Sequence, residues 1–526
     1  MASSFPRIKA INTFVIDGVG SGGDYHNVKG GHWLVDTSIA TPMARWEEYR
    51  ASRTSWGINV LGSFCVEIEA TDGTKGFATG FGGPPACWLV TQHFERFLIS
   101  ADPRDTNNLF EKMYRASMFY GRKGLAVAVI SVIDLAIWDL LGKIRKEPVY
   151  KLIGGATRSR LDFYCTGPEP GVAKEMGFIG AKVPLPYGPD EGIDGLLRNV
   201  EFLRKHRESV GPHFPLRVDC YMSLNVPYTI QLVKACIDAN IDIDWWEECL
   251  TPDDFDGHAL LKRAHPTVKF TTGEHEYSRY GFRKLVEGRN LDIVQPDVMW
   301  VGGLTELLKI SAMAAAYDIP VVPHASGSYS YHFVVSQPNA PFQEYLANSP
   351  DGKSVEPVFG NLFLDEPIPV NGYLDVSVLD KPGFGLELNP AAPLIPANFI
   401  LSPAPQKSLT LPEEKVVEKV VENGHPAPVE DVEETKVEEP KVVPVEPAEP
   451  VEPTEPVEPV GPAELVKPAE SDESTRSDES AAGPVKPVDS TEPTKLDKLI
   501  ESVKSVNLVE LTKPDELVTP VNGTSN

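Results

Sequence analysis

LRVD (216–219), IDWWE (243–247), VKFTTGE (268–274), LDIVQPD (291–297) and IPVVPH (319–324) are five short apolar runs. Each closes on a residue with chemistry to offer: Asp219, Glu247, Glu274, Asp297 and His324. The gaps between those residues are 28, 27, 23 and 27. One strand, one loop and one packing helix fill such a gap in a (β/α) barrel, where every strand delivers its last residues to a common rim. Helical patterns such as TIQLVKACIDA (229–239) and GLTELLKISAMAAAY (303–317) stand between the runs, and RLDFYC (160–165) and GFIGAKV (177–183) precede them. Strand and helix in alternation demand a parallel sheet, and seven or eight such units close a barrel.

Upstream the texture differs. Residues 7–80 mix strand-like AINTFVI (10–16) and NVLGSFCVEIEA (59–70) with Gly-rich connections, and helices are expected over 86–151. That is the α+β pattern of a separate layer. Residues 336–402 are punctuated by Pro and Gly and are expected to return to that layer. The expected organisation is an α+β capping domain (1–155), the catalytic (β/α)7β barrel (156–335), the end of the barrel with a return to the cap (336–405), and a tail (406–526). The tail holds no Phe, Trp or Tyr, takes 17 of the 48 prolines, and sets 12 Lys and Arg against 28 Asp and Glu. Its VPVEPAEPVEPTEPVEPV text favours extended, self-repelling chain, so a disordered acidic tail is expected. Two amphipathic pieces in it, EEKVVEKVVENG and KLDKLIESVKSVNLVEL, offer a face to a protein partner.

The tail carries a net −16 of the whole-chain −26. The remaining residues, at about −10, do not suit nucleic acid. Six scattered cysteines form no Cys-x-x-Cys pair and read as reduced thiols of a cytoplasmic protein. The N-terminal text lacks the apolar core of a secretory signal. The longest apolar stretch, 124–142, contains Asp134 and Asp139 with helical periodicity, which points to a packed helix rather than a membrane span.

Carboxylates converging on one rim repel unless a cation sits among them. Three hard oxygen donors, Asp219, Glu247 and Glu274, with room for water and substrate, suit Mg²⁺ better than zinc. Any one of them alone would be a helix cap more often than a ligand. Three in register on successive strands favour the metal. A lone buried His is usually structural, but His324 follows the acids by two strands, and Asp297 on the strand between can fix its tautomer and raise its basicity. Glu344, 20 residues on in PFQEYL (341–346), reads equally as a surface acid or as a proton donor or acceptor at the same face.

The residues also resemble a family. GGDYH (22–26), IATPMARWEEYRASRTSWGINVLG (39–62), SVIDLAIWDLLGK (131–143), PVYKLIGG (148–155), KEMGFIGAK (174–182), VDCYMS (218–223), WWEECL (245–250), TGEH (272–275), QPDVMWVGGLTE (295–306), VVPHASGSYSYH (321–332), PFQEYL and VLDKPGFGLELN (378–389) are similar to the mandelate racemase-like branch of the enolase superfamily, and within it to the acid-sugar dehydratases. The likeness covers nearly all of residues 1–392 and none of the tail. It implies an enolase-type fold and Mg²⁺ on Asp219, Glu247 and Glu274, the first of the Glu247/Glu248 pair being the ligand. It further implies a His324–Asp297 base, Glu344 near the developing enolate, and His26, Arg53 and His275 holding an acid-sugar substrate. A homo-oligomer of unspecified number is implied too.

One departure narrows the chemistry. Many relatives carry Lys-x-Lys at the end of the second strand, the second Lys being a base on the opposite face; here the text is Lys182-Val183-Pro184. Proline has no basic side chain. A single strong base disfavours racemisation and favours syn elimination, with His324 taking the C2 proton and returning it to the departing hydroxyl. The resemblance alone implies L-rhamnonate as the first expected substrate, with L-mannonate, L-lyxonate and L-fuconate as alternatives; a non-catalytic scaffold with a recruiting tail is the rival class.

Overall fold

The structure is a computed structural model that describes residues 5–16, 31–50 and 61–397. His26, Arg53 and the tail from 406 onward lie outside the described residues. The first layer is an antiparallel sheet of β1 (Ile8–Ile16), β2 (Ser63–Ala70) and β3 (Lys75–Phe81), with the late strand Leu394–Pro396 added along β1. Two helices, α1 (Thr106–Ser117) and α2 (Leu125–Arg145), complete the cap. The α2 helix is apolar almost all round because it is covered almost all round. It is long and apolar enough to cross a membrane, but 89% of its most apolar window is buried inside the protein. Gly76 lets β3 lie flush on it, since a Cβ there would stand 2.3 Å from the Ala136 carbonyl oxygen. The two acids of α2 are satisfied by backbone: Asp139 accepts from the N–H groups of Phe77 (2.9 Å) and Phe384 (3.0 Å), and Asp134 from that of Thr305 (2.9 Å).

The second layer is the barrel. Its strands are β4 (Arg160–Thr166), β5 (Ala181–Pro184), β6 (Leu216–Asp219), β7 (Trp246–Glu247), β8 (Phe270–Thr272) and β9 (Ile293–Val294), each parallel to the next. Val321 continues the sheet by a single bridge to Val294, and β10 (Gln343–Leu346) pairs in parallel with β4 to bring the sheet round. Helices α3 (Pro170–Glu175), α4 (Gly192–Val210), α5 (Val226–Asp238), α6 (Phe255–Ala264), α7 (Ser278–Glu287), α8 (Gly303–Ala315) and α9 (Ser328–Ser336) alternate with these eight strand positions, which is the (β/α)7β pattern. Register sets Pro184 opposite Asp219 and Asp219 opposite Glu247. Successive inward positions stack in layers: Arg217 and Trp245 lie one step below Asp219 and Glu247. Cap and barrel are tied by α2: besides the Asp134 bond, Ser131 Oγ accepts from the Gly302 N–H at 2.8 Å and the Trp138 indole donates to Thr305 Oγ1 at 2.9 Å.

Candidate metal centre and its flanking histidines

Asp219 and Glu247 are the last residues of their strands, and both are buried. Glu274 comes two residues after β8, past Gly273 at φ +141°. A side chain at 273 would meet the Phe282 ring at 2.8 Å and the Gln295 backbone at 3.1 Å, so only glycine makes this turn. The oxygens of Asp219, Glu247 and Glu274 come within 4.8 Å of one another, and those of Glu248 and Glu274 with a His275 ring nitrogen form a second, overlapping set. Lys182 on β5 is the hub cation. It hydrogen-bonds Glu247, stands 2.9 Å from Glu344 Oε1 and 3.5 Å from Asp219 Oδ2, and is almost wholly buried. The Trp245 indole donates to Glu247 Oε2 at 3.0 Å.

His324 stands beyond Val321, and its Nδ1 donates to Asp297 Oδ2 at 2.7 Å. The backbone N–H of Met299 holds the other Asp297 oxygen at 2.6 Å. On the open side, His324 Nε2 is 3.6 Å from Glu274 Oε2. Glu344 is buried: it accepts from the Ala325 N–H at 3.0 Å and from the Thr166 hydroxyl. His275 gives its Nδ1 to both oxygens of Glu248, at 3.0 and 2.9 Å. The Trp300 ring packs against both imidazoles, its centroid 5.2 Å from that of His275 and 5.5 Å from that of His324, and makes a T-shaped contact with Phe81 of the cap. Seven of the nine residues singled out in the sequence therefore surround one rim, and His26 and Arg53 lie outside the described residues. Lys182, Trp300 and Thr166 have no role in the sequence reading, and Glu248 enters it only as the alternative to Glu247 as metal ligand. A lysine inside the apolar run FIGAKVPL is a signal of a paired, buried charge; Trp300 and Thr166 carry none.

The electrostatics describe a crowd of anions. Burial pushes Asp219, Glu247 and Glu274 each up to about 7, through desolvation and mutual repulsion that Lys182 or His324 only partly offsets. Glu344 resists its burial and is held at about 2 by Lys182 and His324. His275, despite burial, is raised to about 9 by Glu248, and His324 well above its usual range by Glu274, Asp297 and Glu344. Glu274 Oε2 is buried with no hydrogen-bond partner. An orphaned carboxylate oxygen inside a set of three acids fits a hard divalent cation of the Mg²⁺ kind.

A (β/α)7β barrel under an α+β cap, with acids on three successive strands and an Asp and a His on the next two, defines the enolase superfamily. Residues 172–392 match its family described as "Enolase C-terminal domain-like", and residues 50–154 match "Mandelate racemase / muconate lactonizing enzyme, N-terminal domain". The chain belongs to this mandelate racemase/muconate lactonizing enzyme family. It is 50% identical over 389 residues to L-rhamnonate dehydratase of Saccharopolyspora erythraea, covering 74% of this chain and 98% of that one. Among solved structures, rhamnonate dehydratase from Gibberella zeae complexed with Mg is 78% identical, with a TM-score of 0.73 over 75% of this chain and 98% of that one. A second structure, L-rhamnonate dehydratase from Gibberella zeae, is 75% identical, with a TM-score of 0.71 over 75% and 97%.

Proposed function

We propose that this protein is a Mg²⁺-dependent hydro-lyase that converts L-rhamnonate to 2-dehydro-3-deoxy-L-rhamnonate and water. The observation that carries the reading is the row Glu274, His324, Asp297: one steered imidazole beside an acid set with an unpartnered oxygen. The high identity to rhamnonate dehydratases selects the sugar. Asp219, Glu247 and Glu274 would hold Mg²⁺, which when bound supplies positive charge against the negative charge that develops on the substrate carboxylate.

The chain's own residues do the proton work. His324 Nε2 takes the C2 proton, the C3 hydroxyl leaves carrying that proton back from His324, and the resulting enol tautomerises to the 2-keto acid; the balance is loss of one water. Asp297 holds Nδ1 so that Nε2 is the reacting nitrogen. A cation on Glu274 would remove one of the charges that raise His324, leaving Asp297 and Glu344 to sustain its basicity. On the opposite side Lys182 is no rival base: Glu247 and Glu344 outweigh its burial and hold it protonated. Pro184 follows it where relatives place their second lysine, which supports one-sided elimination over racemisation. Glu344 steadies the rim beside His324, while His275, His26 and Arg53 are assigned to the substrate's carboxylate and hydroxyls.

The six cysteines are free and buried, in keeping with a cytoplasmic enzyme. A homo-oligomer and a protein partner for the tail complete the reading; light scattering of the full chain tests the first. The decisive experiment is a panel of L-rhamnonate, L-mannonate, L-lyxonate and L-fuconate followed for 2-keto acid. L-rhamnonate should have the highest kcat/KM, and absence of turnover on all four would overturn the function.

A further inference from the structure

Glu247 and Glu248 are consecutive, and in a regular strand their side chains would point to opposite faces. Both nevertheless reach the rim. Glu248 has φ +44°, a left-handed conformation that non-glycine residues adopt only under constraint. The constraint is visible: its N–H donates to the Thr271 carbonyl at 3.0 Å, and its carbonyl accepts from the Met222 N–H at 2.7 Å. The turn delivers the Glu248 carboxylate to His275 Nδ1, with both oxygens in range. His324 is treated the same way by Asp297, and Trp300 is set against both rings. The rim thus holds two carboxylate-steered imidazoles packed against one indole, of which the mechanism has so far used one pair.

We infer that Glu248 is a positioning residue for the dehydration: by gripping Nδ1 it fixes the ring plane of His275, so that the Nε2–H is the group presented to a hydroxyl or carboxylate oxygen of the acid sugar. Glu248 is almost wholly buried while the His275 side chain is about one-fifth exposed, the order expected of a support behind a contact residue. The inference rests on the reading that His275 touches substrate. It separates the roles of two adjacent acids: Glu247 faces Lys182 and the metal set, and Glu248 faces the imidazole.

A double-mutant cycle on the Mg²⁺-loaded full chain tests it. Glu248→Ala and His275→Ala should each lower kcat/KM for L-rhamnonate about 10- to 100-fold, and the double variant should be no worse than His275→Ala alone. Glu248→Gln, which keeps an acceptor, should recover most of the loss. Melting temperature and calorimetric Mg²⁺ affinity should stay at wild-type values. Additive losses, a fall in activity that tracks melting temperature, or Mg²⁺ affinity weakened tenfold in Glu248→Ala would each overturn the proposal, the last by making Glu248 a ligand. A readout free of substrate keeps it separate from the functional reading: ¹⁵N-histidine spectra should show a hydrogen-bonded Nδ1–H signature at His275 that is lost in Glu248→Ala. If that signature persists the proposal falls, even where the wild type dehydrates L-rhamnonate; if the wild type turns over no acid sugar, the function falls and the signature still decides the pairing.

Discussion

The barrel buries a cation at two levels, and the two are held in opposite ways. At the rim, Lys182 sits among Asp219, Glu247 and Glu344, with Glu248, Glu274 and Asp297 close by. One level down, the Arg217 guanidinium lies over the faces of Tyr164 (4.5 Å), Trp245 (4.0 Å) and Phe342 (5.0 Å), with Asp244 accepting from its Nε at 2.9 Å. Asp244 also pairs with Lys269, so the lower level has as much positive charge as it needs. The rim does not: among the described residues, six carboxylates face one lysine and two histidines. Surplus negative charge in a buried place is a standing demand for a cation, whereas the lower level meets its arginine with Asp244 and π-faces and leaves Nη1 without a hydrogen bond. Trp245 joins the two levels, its ring on Arg217 and its N–H on Glu247.

The contrast breaks most visibly when the cation is withdrawn. EDTA should reduce 2-keto acid formation to background, with recovery on adding Mg²⁺; a spectrophotometric assay reads it. Next in size, His324→Asn should lower kcat about 10²- to 10⁴-fold with Mg²⁺ affinity and far-UV circular dichroism unchanged, and retained turnover would refute the base assignment. Lys182→Met leaves buried acids unbalanced and should destabilise the metal-free protein by about 3–5 kcal/mol in urea titrations, with Mg²⁺ restoring part of the loss. Arg217→Met at the lower level should lose a smaller amount, roughly 1–3 kcal/mol, with no dependence on Mg²⁺; a Mg²⁺-sensitive loss there would erase the distinction.

A third kind of buried base supplies a pH dependence. His332 has no acid partner: Nδ1 accepts from the Tyr150 N–H at 3.1 Å and Nε2 faces the Phe384 carbonyl at 3.3 Å. Burial pushes it down to about 3. Between pH 6.5 and 3 the folded chain therefore binds fewer protons here than the unfolded chain does. The stabilisation is complete above the unfolded value and is lost as pH falls, by up to about 1.4 kcal/mol per pH unit. Acid titration of stability, flattened in His332→Asn, checks the sign.

What could be read in advance follows from the same physics. The spacing of Asp219, Glu247, Glu274, Asp297 and His324 was visible because barrel strands repeat at a helix-plus-loop period and expose only their ends. The cap was legible from its change of texture, and α2 as a packed helix because two acids interrupt its apolar run. The role of Lys182 is hidden in the text Lys182-Val183-Pro184, where Pro184 marks the missing second base and nothing shows that the lysine faces Glu247 and Glu344. For Glu248 it is the role toward His275, not the residue, that the text hides. Whether a second acid faces in or out depends on one backbone dihedral, and φ +44° leaves no mark in the text WWEECL. Trp300 likewise reads as one more apolar residue until the loop after β9 turns it across both histidines.

The strand Leu394–Pro396 closes the outer edge of β1, pairing Phe14 with Pro396 and Ile16 with Leu394. During synthesis the partner emerges some 380 residues after β1 does, which at 5–20 residues per second is on the order of a minute. Throughout that interval one side of β1 presents open backbone donors and acceptors, the kind of edge that recruits other chains. The barrel strands thus emerge before the cap is complete, and a three-residue strand at 394–396 decides whether the first strand of the protein is safe from strangers.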